Sequence, residues 1–207
     1  MEIYYSIFLI IAAFLLGACP FSVWIGRLFL KKDIIKYGDG NPGAANVFRA
    51  GNIKLGLLAV LLDILKGIPF VYITYAVFDL SAWVIVAVGL AAILGHSFSP
   101  LLKFKGGKSI AVTFGVIIAI PQVEILAVFT LLTLFGFLFI EQHSWAVMPG
   151  PIGTLIYLLI AQGNSWETLF MVCILALFII KQYDGLWSIP RFKPRLINWL
   201  QSRSRET

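Results

Sequence analysis

From Ile3 to Gly26 the chain runs without one charged side chain, and an uninterrupted apolar stretch of that length restricts what it can fold into. A helix needs about 20 mainly apolar residues to cross the hydrocarbon core of a bilayer. Comparable runs follow at Gly56 to Phe78, Ala82 to Phe98, Ile110 to Pro121, Val123 to Ile140, Ile152 to Ala161 and Thr168 to Ile180. The runs beginning at Ile110 and Ile152 are short for a full crossing. The pattern therefore predicts an all-α, polytopic membrane protein, a bundle of about seven transmembrane helices with a range of five to seven. Composition agrees: 60% of residues are hydrophobic and 13% charged, where a soluble domain carries about 25% charge. No linker, low-complexity tract or clear internal repeat interrupts the series, so residues 1–207 read as a single integral membrane domain.

The basic residues set the expected orientation, because cytoplasmic loops collect Lys and Arg. With the amino terminus outside and seven crossings, every Lys and Arg except Lys66 falls on the inner side, while Asp79, Glu124 and Glu167 occupy outward turns. That places both glycine-rich loops and the carboxy terminus in the cytoplasm. The net charge of +6 is thus localised at one face. It fits topology and attraction to anionic lipid heads, and no nucleic-acid partner is expected. Leu16-Gly17-Ala18-Cys19 superficially resembles a lipoprotein processing site, but no Lys or Arg precedes Arg27 and the apolar run continues past the cysteine, so an uncleaved first helix is expected. Cys19 and Cys173 fall in expected spans and read as packing residues. The tail from Ser188 to Thr207 alternates basic and apolar residues and reads as a segment lying on the anionic leaflet.

Three stretches carry chemistry. Between the first two spans, Tyr37 to Arg49 reads YGDGNPGAANVFR. Glycines with Pro42 make a sharply turning backbone whose N–H groups can point at an anion. Ala44 and Ala45 then favour a helix, with Arg49 about one turn on. An ordinary Gly-Pro turn needs neither Asn41, Asn46 nor Arg49. Second, Leu101 to Val112 reads LLKFKGGKSIAV, preceded by Gly95-His96-Ser97-Phe98-Ser99-Pro100. Gly-Gly-Lys-Ser resembles the end of a nucleotide-binding loop, but such a loop needs a further glycine five positions before Gly107, where Leu102 stands, and a preceding β-strand. What remains is an anion cradle, Gly106 and Gly107 exposing amides among Lys103, Lys105 and Lys108. Third, Asp63-Ile64-Leu65-Lys66-Gly67 puts two charges on one face of a spanning helix, where they neutralise each other. Charges within a span commonly mark function, and a structural ion pair explains this one equally well. His96 and His143 are the only histidines, both near expected cytoplasmic ends of spans, where an interfacial histidine is usually structural; Leu101 and Met148 occupy the fifth position after them, so neither begins the His-x-x-x-x-Asp motif of CoA-dependent acyltransferases. A Gly-x-Ser-x-Gly elbow, a zinc-type cluster and a Rossmann fingerprint are absent from the sequence.

GDGNPGAANVFR, LLDILKG and GHSFSPLLKFKGGKSIAV, in this order and between these spans, resemble the bacterial acyl-phosphate:glycerol-3-phosphate acyltransferase family, the PlsY type. The resemblance runs from about Gly17 to Gly115. It implies a compact helical bundle in the bacterial cytoplasmic (inner) membrane that transfers a fatty acyl group from acyl phosphate to the first hydroxyl of glycerol 3-phosphate, releasing phosphate. It also implies a functional link to a soluble enzyme that makes the acyl phosphate, and no metal, CoA or other cofactor. By the same resemblance Lys108, with Lys103 or Lys105, holds phosphates, Arg49 pairs with one, and the amides around Gly106 and Gly107 stabilise developing charge. His96 is a candidate general acid/base, the substrate phosphate being the other proton acceptor. Gly40, Asn41, Gly43, Asn46 and Ser109 complete the expected phosphate-binding set, and Asp63 and Lys66 support it.

The chain also departs from the family pattern. The first loop of the family usually has a serine important to activity where this chain has Asp39, which by that position joins Lys108, Arg49 and His96 as a candidate catalytic residue; its carboxylate repels phosphate unless a lysine compensates or the proton is retained. The usual Gly-Ser-x-Pro-Phe appears as Gly17-Ala18-Cys19-Pro20-Phe21, and Lys-Gly-Val-Ala-Thr as Lys108-Ser109-Ile110-Ala111-Val112. A carboxy-terminal His-Arg-x-Asn-Ile motif has no counterpart in Lys181 to Arg195, and Ser144 is a candidate for the serine usual before the sixth helix. Two alternatives stand beside the enzyme: a paralogue that binds a phosphorylated lipid without this catalysis or with another acceptor, and a small transporter.

Overall fold

The computed structural model describes residues 2–193, and the chain divides into two compact units at Gln122 and Val123. The described residues are helical, with one isolated β-bridge between Ile140 and Phe192 and no strand. Among the described residues five helical segments are long and apolar enough to cross a membrane: Glu2–Leu30, Ile53–Val77, Ala82–Leu102, His143–Ala161 and Trp166–Leu186. Helices Ile110–Ala119 and Val123–Phe139 are shorter. At about 1.5 Å per residue the ten residues from Ile110 to Ala119 reach only about half of a hydrocarbon core.

In the first unit α1 (Glu2–Ala18) stops at Cys19-Pro20, because proline brings no N–H to continue the ladder. The chain resumes as α2 (Phe21–Ile25), passes into a π-helical stretch (Gly26–Leu30) and ends at Lys31, whose backbone is left-handed. A 3₁₀ turn (Ile34–Lys36) leads through the first glycine loop to α3 (Ala44–Arg49). Next, α4 (Ile53–Leu65) starts where the Asn52 side chain accepts the Leu55 N–H at 2.9 Å, and α5 (Pro69–Tyr72) continues it into a second π-helical stretch (Ile73–Val77). Then α6 (Ala82–Ser97) and a 3₁₀ turn (Pro100–Leu102) run into the lysine loop, and α7 (Ile110–Ala119) leaves it.

Small residues let these helices touch backbone to backbone, the usual mode of close packing in a bilayer. A side chain at Gly17 or Gly95 would collide with the backbone of Ala92 or Phe14, so α1 and α6 meet directly there. Gly115 of α7 lies in the same way against the Ile64 carbonyl of α4. Above these crossings Val23, Ile25, Ile34, Val47, Ala50 and Ala59 form a buried core beneath the first glycine loop, which fixes α3 to α2 and α4.

The second unit consists of α8 (Val123–Phe139), α9 (His143–Ala146), α10 (Pro149–Ala161) and α11 (Trp166–Leu186). The short run expected from Ile152 begins instead at Pro149, a residue suited to the first helical turn, and α9 lengthens the segment to 19 residues. Phe129 and Phe178 meet edge to face at 6.4 Å in its core, and Ser144 donates to Gln182 at 2.9 Å. The segment before Lys193 is tied down by the Glu141 N–H to Arg191 carbonyl and Lys193 N–H to Phe139 carbonyl bonds, both 2.9 Å. The rest of the expected surface-lying tail, residues 194–207, lies outside the described residues. Both cysteines are free.

Candidate functional site

The two glycine-rich loops, far apart in sequence, meet at an ion pair. Lys108 Nζ lies 2.9 Å from Asp39 Oδ2, and Arg49 Nη1 lies 3.5 Å from Asp39 Oδ1. Arg49 also donates to Asn46 Oδ1 at 2.7 Å, while Asn46 Nδ2 donates to the Asn41 carbonyl at 2.8 Å and to Asp39 at 3.3 Å. The Asn41 N–H turns back onto Asp39 Oδ1 at 3.2 Å. The amide expected to face a bound anion therefore does face one, and it is the chain's own carboxylate. Gly40 closes the turn with its N–H on the Tyr37 carbonyl, and Gly43 precedes α3 with Asn41 against it. Gly38 has a left-handed φ of +56°, and the Arg49 guanidinium fills the space a side chain would need.

Burial pushes the Asp39 carboxyl up, but the hydrogen bond and charge of Lys108, the Asn41 amide and the charge of Arg49 outweigh it and hold the group below its ordinary 3.8. The expected repulsion from Asp39 is thus answered inside the loop pair by Lys108.

The lysine loop differs from its expected form in one respect. Gly107 gives its N–H to the His96 carbonyl at 3.0 Å, so this amide is not exposed for an anion. Both loop glycines serve close approach instead: a side chain on Gly106 would strike the His96 carbonyl, and one on Gly107 the imidazole. Lys103 and Lys105 are exposed, and Lys103 and Phe104 are both left-handed at φ of 54° and 62°. Ser109 is left-handed as well, at 62°, in the position where the family pattern has glycine. Its buried hydroxyl is hydrogen-bonded to the Ser97 hydroxyl and donates to the Ile93 carbonyl at 3.3 Å, which holds a conformation that costs a non-glycine residue about 1–2 kcal/mol.

Behind the loops lies a second, buried cluster. Lys66 Nζ is 2.8 Å from Asp63 Oδ1 and donates at 2.9 Å to the Cys19 carbonyl, which also accepts the Phe21 N–H at the break before Pro20. Ser22 donates to Asp63 Oδ2 at 3.0 Å, and His96 Nδ1 stands 3.8 Å from Asp63 Oδ1. His96 is thus buried rather than interfacial, at 9% exposure, beneath Gly107. A small cavity, with room for about one water, is lined by Asp63, Lys66, His96, Ser99, Pro42 and Gly107 and connects this cluster with both loops. Sequence reasoning missed Ser22 and Ser99; a hydroxyl within an apolar run was the available signal. It also missed Lys32, which caps α3 by donating to the Ala50 carbonyl at 2.7 Å.

The sequence model of the family described as glycerol-3-phosphate acyltransferase matches residues 7–187. The chain belongs to the glycerol-3-phosphate acyltransferase family. A glycerol-3-phosphate acyltransferase of Lactococcus lactis is 34% identical over 84% of this chain and 83% of its own length. One from Listeria monocytogenes is 36% identical over 84% of this chain and 87% of its own. Glycerol-3-phosphate acyltransferase 2 of Bacillus anthracis is 35% identical over 86% and 93%. Two crystal structures of PlsY, an integral membrane glycerol 3-phosphate acyltransferase, share the fold at 33% identity. The glycerol 3-phosphate form superposes with a TM-score of 0.80 over 87% of this chain and 90% of that one. The lysophosphatidic acid form does so at 0.77 over 87% and 89%. The family match extends through both compact units, well beyond the half of the chain that carries the motifs, and this family member is a multi-pass membrane protein.

Proposed function

We propose that the chain transfers a fatty acyl group from acyl phosphate to the first hydroxyl of glycerol 3-phosphate, forming 1-acylglycerol 3-phosphate for phospholipid synthesis. The observation that carries this reading is the convergence of Lys108 and Arg49, from different loops, on one anion-holding point at Asp39. The relatives named as glycerol-3-phosphate acyltransferases, and the solved forms with glycerol 3-phosphate and lysophosphatidic acid, support it, since acceptor and product both bear phosphate.

Acyl phosphate is already activated, so positioning and charge stabilisation supply the rate without a covalent enzyme intermediate. The acceptor hydroxyl oxygen attacks the acyl carbonyl carbon, the bond from that carbon to the phosphate oxygen breaks, and the hydroxyl proton leaves on the released phosphate. Lys108 and Arg49 bind the phosphate charge. Asn41 and Asn46 orient the first loop, with Gly40 and Gly43 shaping its turn. Lys103 and Lys105, exposed beside Gly106, draw anions to the loop. Ser109 fixes Lys108 at the start of α7. His96, which lines the cavity under Gly107, positions the lysine loop and is the candidate general acid/base beside the substrate phosphate. Asp63 and Lys66 hold the helices below it.

The distribution of basic residues supports loops on the cytoplasmic side of a bacterial inner membrane, the amino terminus outside, and the whole chain acting as one domain. A soluble enzyme that phosphorylates or exchanges acyl groups would supply the donor. The test is purified protein in lipid, given acyl phosphate and glycerol 3-phosphate, with acylglycerol phosphate and inorganic phosphate both quantified. Equimolar appearance of the two is expected. No product, with the Lactococcus lactis relative active alongside, would overturn the reading.

A further inference from the structure

The donors gathered by the two loops are already spoken for. Lys108 Nζ at 2.9 Å, the Asn41 N–H at 3.2 Å, Asn46 Nδ2 at 3.3 Å and Arg49 Nη1 at 3.5 Å all face the Asp39 carboxylate. Two cations and two neutral donors around one anion is the recognition pattern for a phosphoryl group, and in this chain a side chain of the protein occupies it. Asp39 is 38% exposed, so a ligand in solvent reaches it directly. It also lies between Gly38 and Gly40, with left-handed φ of +56° and +72°, a backbone that can rotate to swing one side chain aside.

We propose that Asp39 is a resident counter-anion that an incoming substrate phosphate displaces from Lys108 and Arg49, so that this residue sets the affinity of the site for its phosphorylated ligands. The inference rests on the reading that these loops bind phosphate. A carboxylate offers one charge and two oxygens, whereas a phosphate monoester offers about −1.5 to −2 and three oxygens, so phosphate gains more from the two cations than the carboxylate does. Exposed ion pairs contribute little net stability, so releasing Asp39 is cheap. Both anions cannot share the seat, because like charges a few ångströms apart repel. Before substrate arrives, the carboxylate keeps Lys108 and Arg49 pointed at the seat, which spares the ligand part of the ordering cost. A serine at this position, as in the family pattern, would leave the seat open and uncharged.

The test is calorimetric titration of inorganic phosphate into the full chain in detergent, comparing wild type with Asp39→Asn and Asp39→Ser, and with turnover measured on the same samples. Removal of the competing charge should tighten phosphate about ten-fold in both variants, with a matching fall in KM for glycerol 3-phosphate. Two chemically different replacements guard against misfolding of either one. Unchanged or weaker phosphate binding in both variants, with wild-type turnover intact, would overturn the displacement and leave the acyl-transfer reading standing. Tightened phosphate binding without turnover in any sample would support displacement and sink the acyl-transfer reading. No phosphate binding by any of the three proteins would overturn both.

Discussion

The first unit contains two lysine–carboxylate pairs of nearly equal length, and they differ in everything except distance. Lys108 and Asp39 lie 2.9 Å apart, with side chains 19% and 38% exposed; Lys66 and Asp63 lie 2.8 Å apart, at 1% and 4%. The outer pair draws its members from two loops and shares its carboxylate with Arg49 and two asparagines. The inner pair sits on one helix and is locked by Ser22, the Cys19 carbonyl and the neighbouring His96. Water and salt screen the outer pair, so its partners can be exchanged for a ligand's. In the inner pair neither charge can leave without stranding the other in an apolar interior. One pair is suited to bind and release anions, the other to hold the helices on which that binding depends.

The largest effect that would test this contrast is at Asp63. Asp63→Ala leaves Lys66 buried and unpaired, and about 3–5 kcal/mol of stability should be lost, read as a large fall in thermal unfolding temperature in detergent. Replacing both partners by apolar residues, Asp63→Leu with Lys66→Met, should recover most of that loss. Failure of the double variant to recover would mean that the pair contributes through more than mutual neutralisation.

Lys108→Ala should show the opposite profile. Its unfolding temperature should stay near wild type, while acyl transfer falls by about 10²-fold or more. Retained turnover would remove Lys108 from the site. Smaller again is the pH response of the outer pair. Because the folded state holds the Asp39 carboxyl below 3.8, its pairing with Lys108 is complete above that value and is lost only as pH falls through the lower, folded value. Carbon-13 labelling of aspartate should therefore find Asp39 titrating below the unfolded reference; a midpoint above it would contradict the geometry. The smallest effect is expected at Ser109. Ser109→Gly relieves a left-handed residue but gives up the bonds to Ser97 and the Ile93 carbonyl, so stability should change by no more than about 1 kcal/mol.

The sequence already carried much of this contrast, for physical reasons that differ from residue to residue. Asp63 and Lys66 stood out because charges are rare in an apolar run and their spacing puts them on one helix face. The two loops stood out because glycine, proline, asparagine and lysine collect where apolar patterning stops. The pairing of Lys108 with Asp39 was not legible, since it joins distant loops, and the sequence showed only that a carboxylate there needed a cation. Gly107 misled because a glycine amide reads as free until a neighbouring helix end, here the His96 carbonyl, claims it. His96 looked interfacial because it falls near the end of an apolar run, yet Gly107 covers it. The break at Cys19-Pro20 and the π-helical stretches have no hydropathy signature at all. The left-handed Ser109 became legible only by its departure from the family's glycine.

Infrared difference spectroscopy with isotopically labelled aspartate, recorded as glycerol 3-phosphate is added, compares the two carboxylates most directly. Variants at Asp39 and Asp63 assign the bands. The carboxylate stretch of Asp39 should shift as its cations pass to the ligand, while that of Asp63 stays where it was. An unmoved Asp39 band at saturating glycerol 3-phosphate, with binding established by calorimetry, would contradict the account.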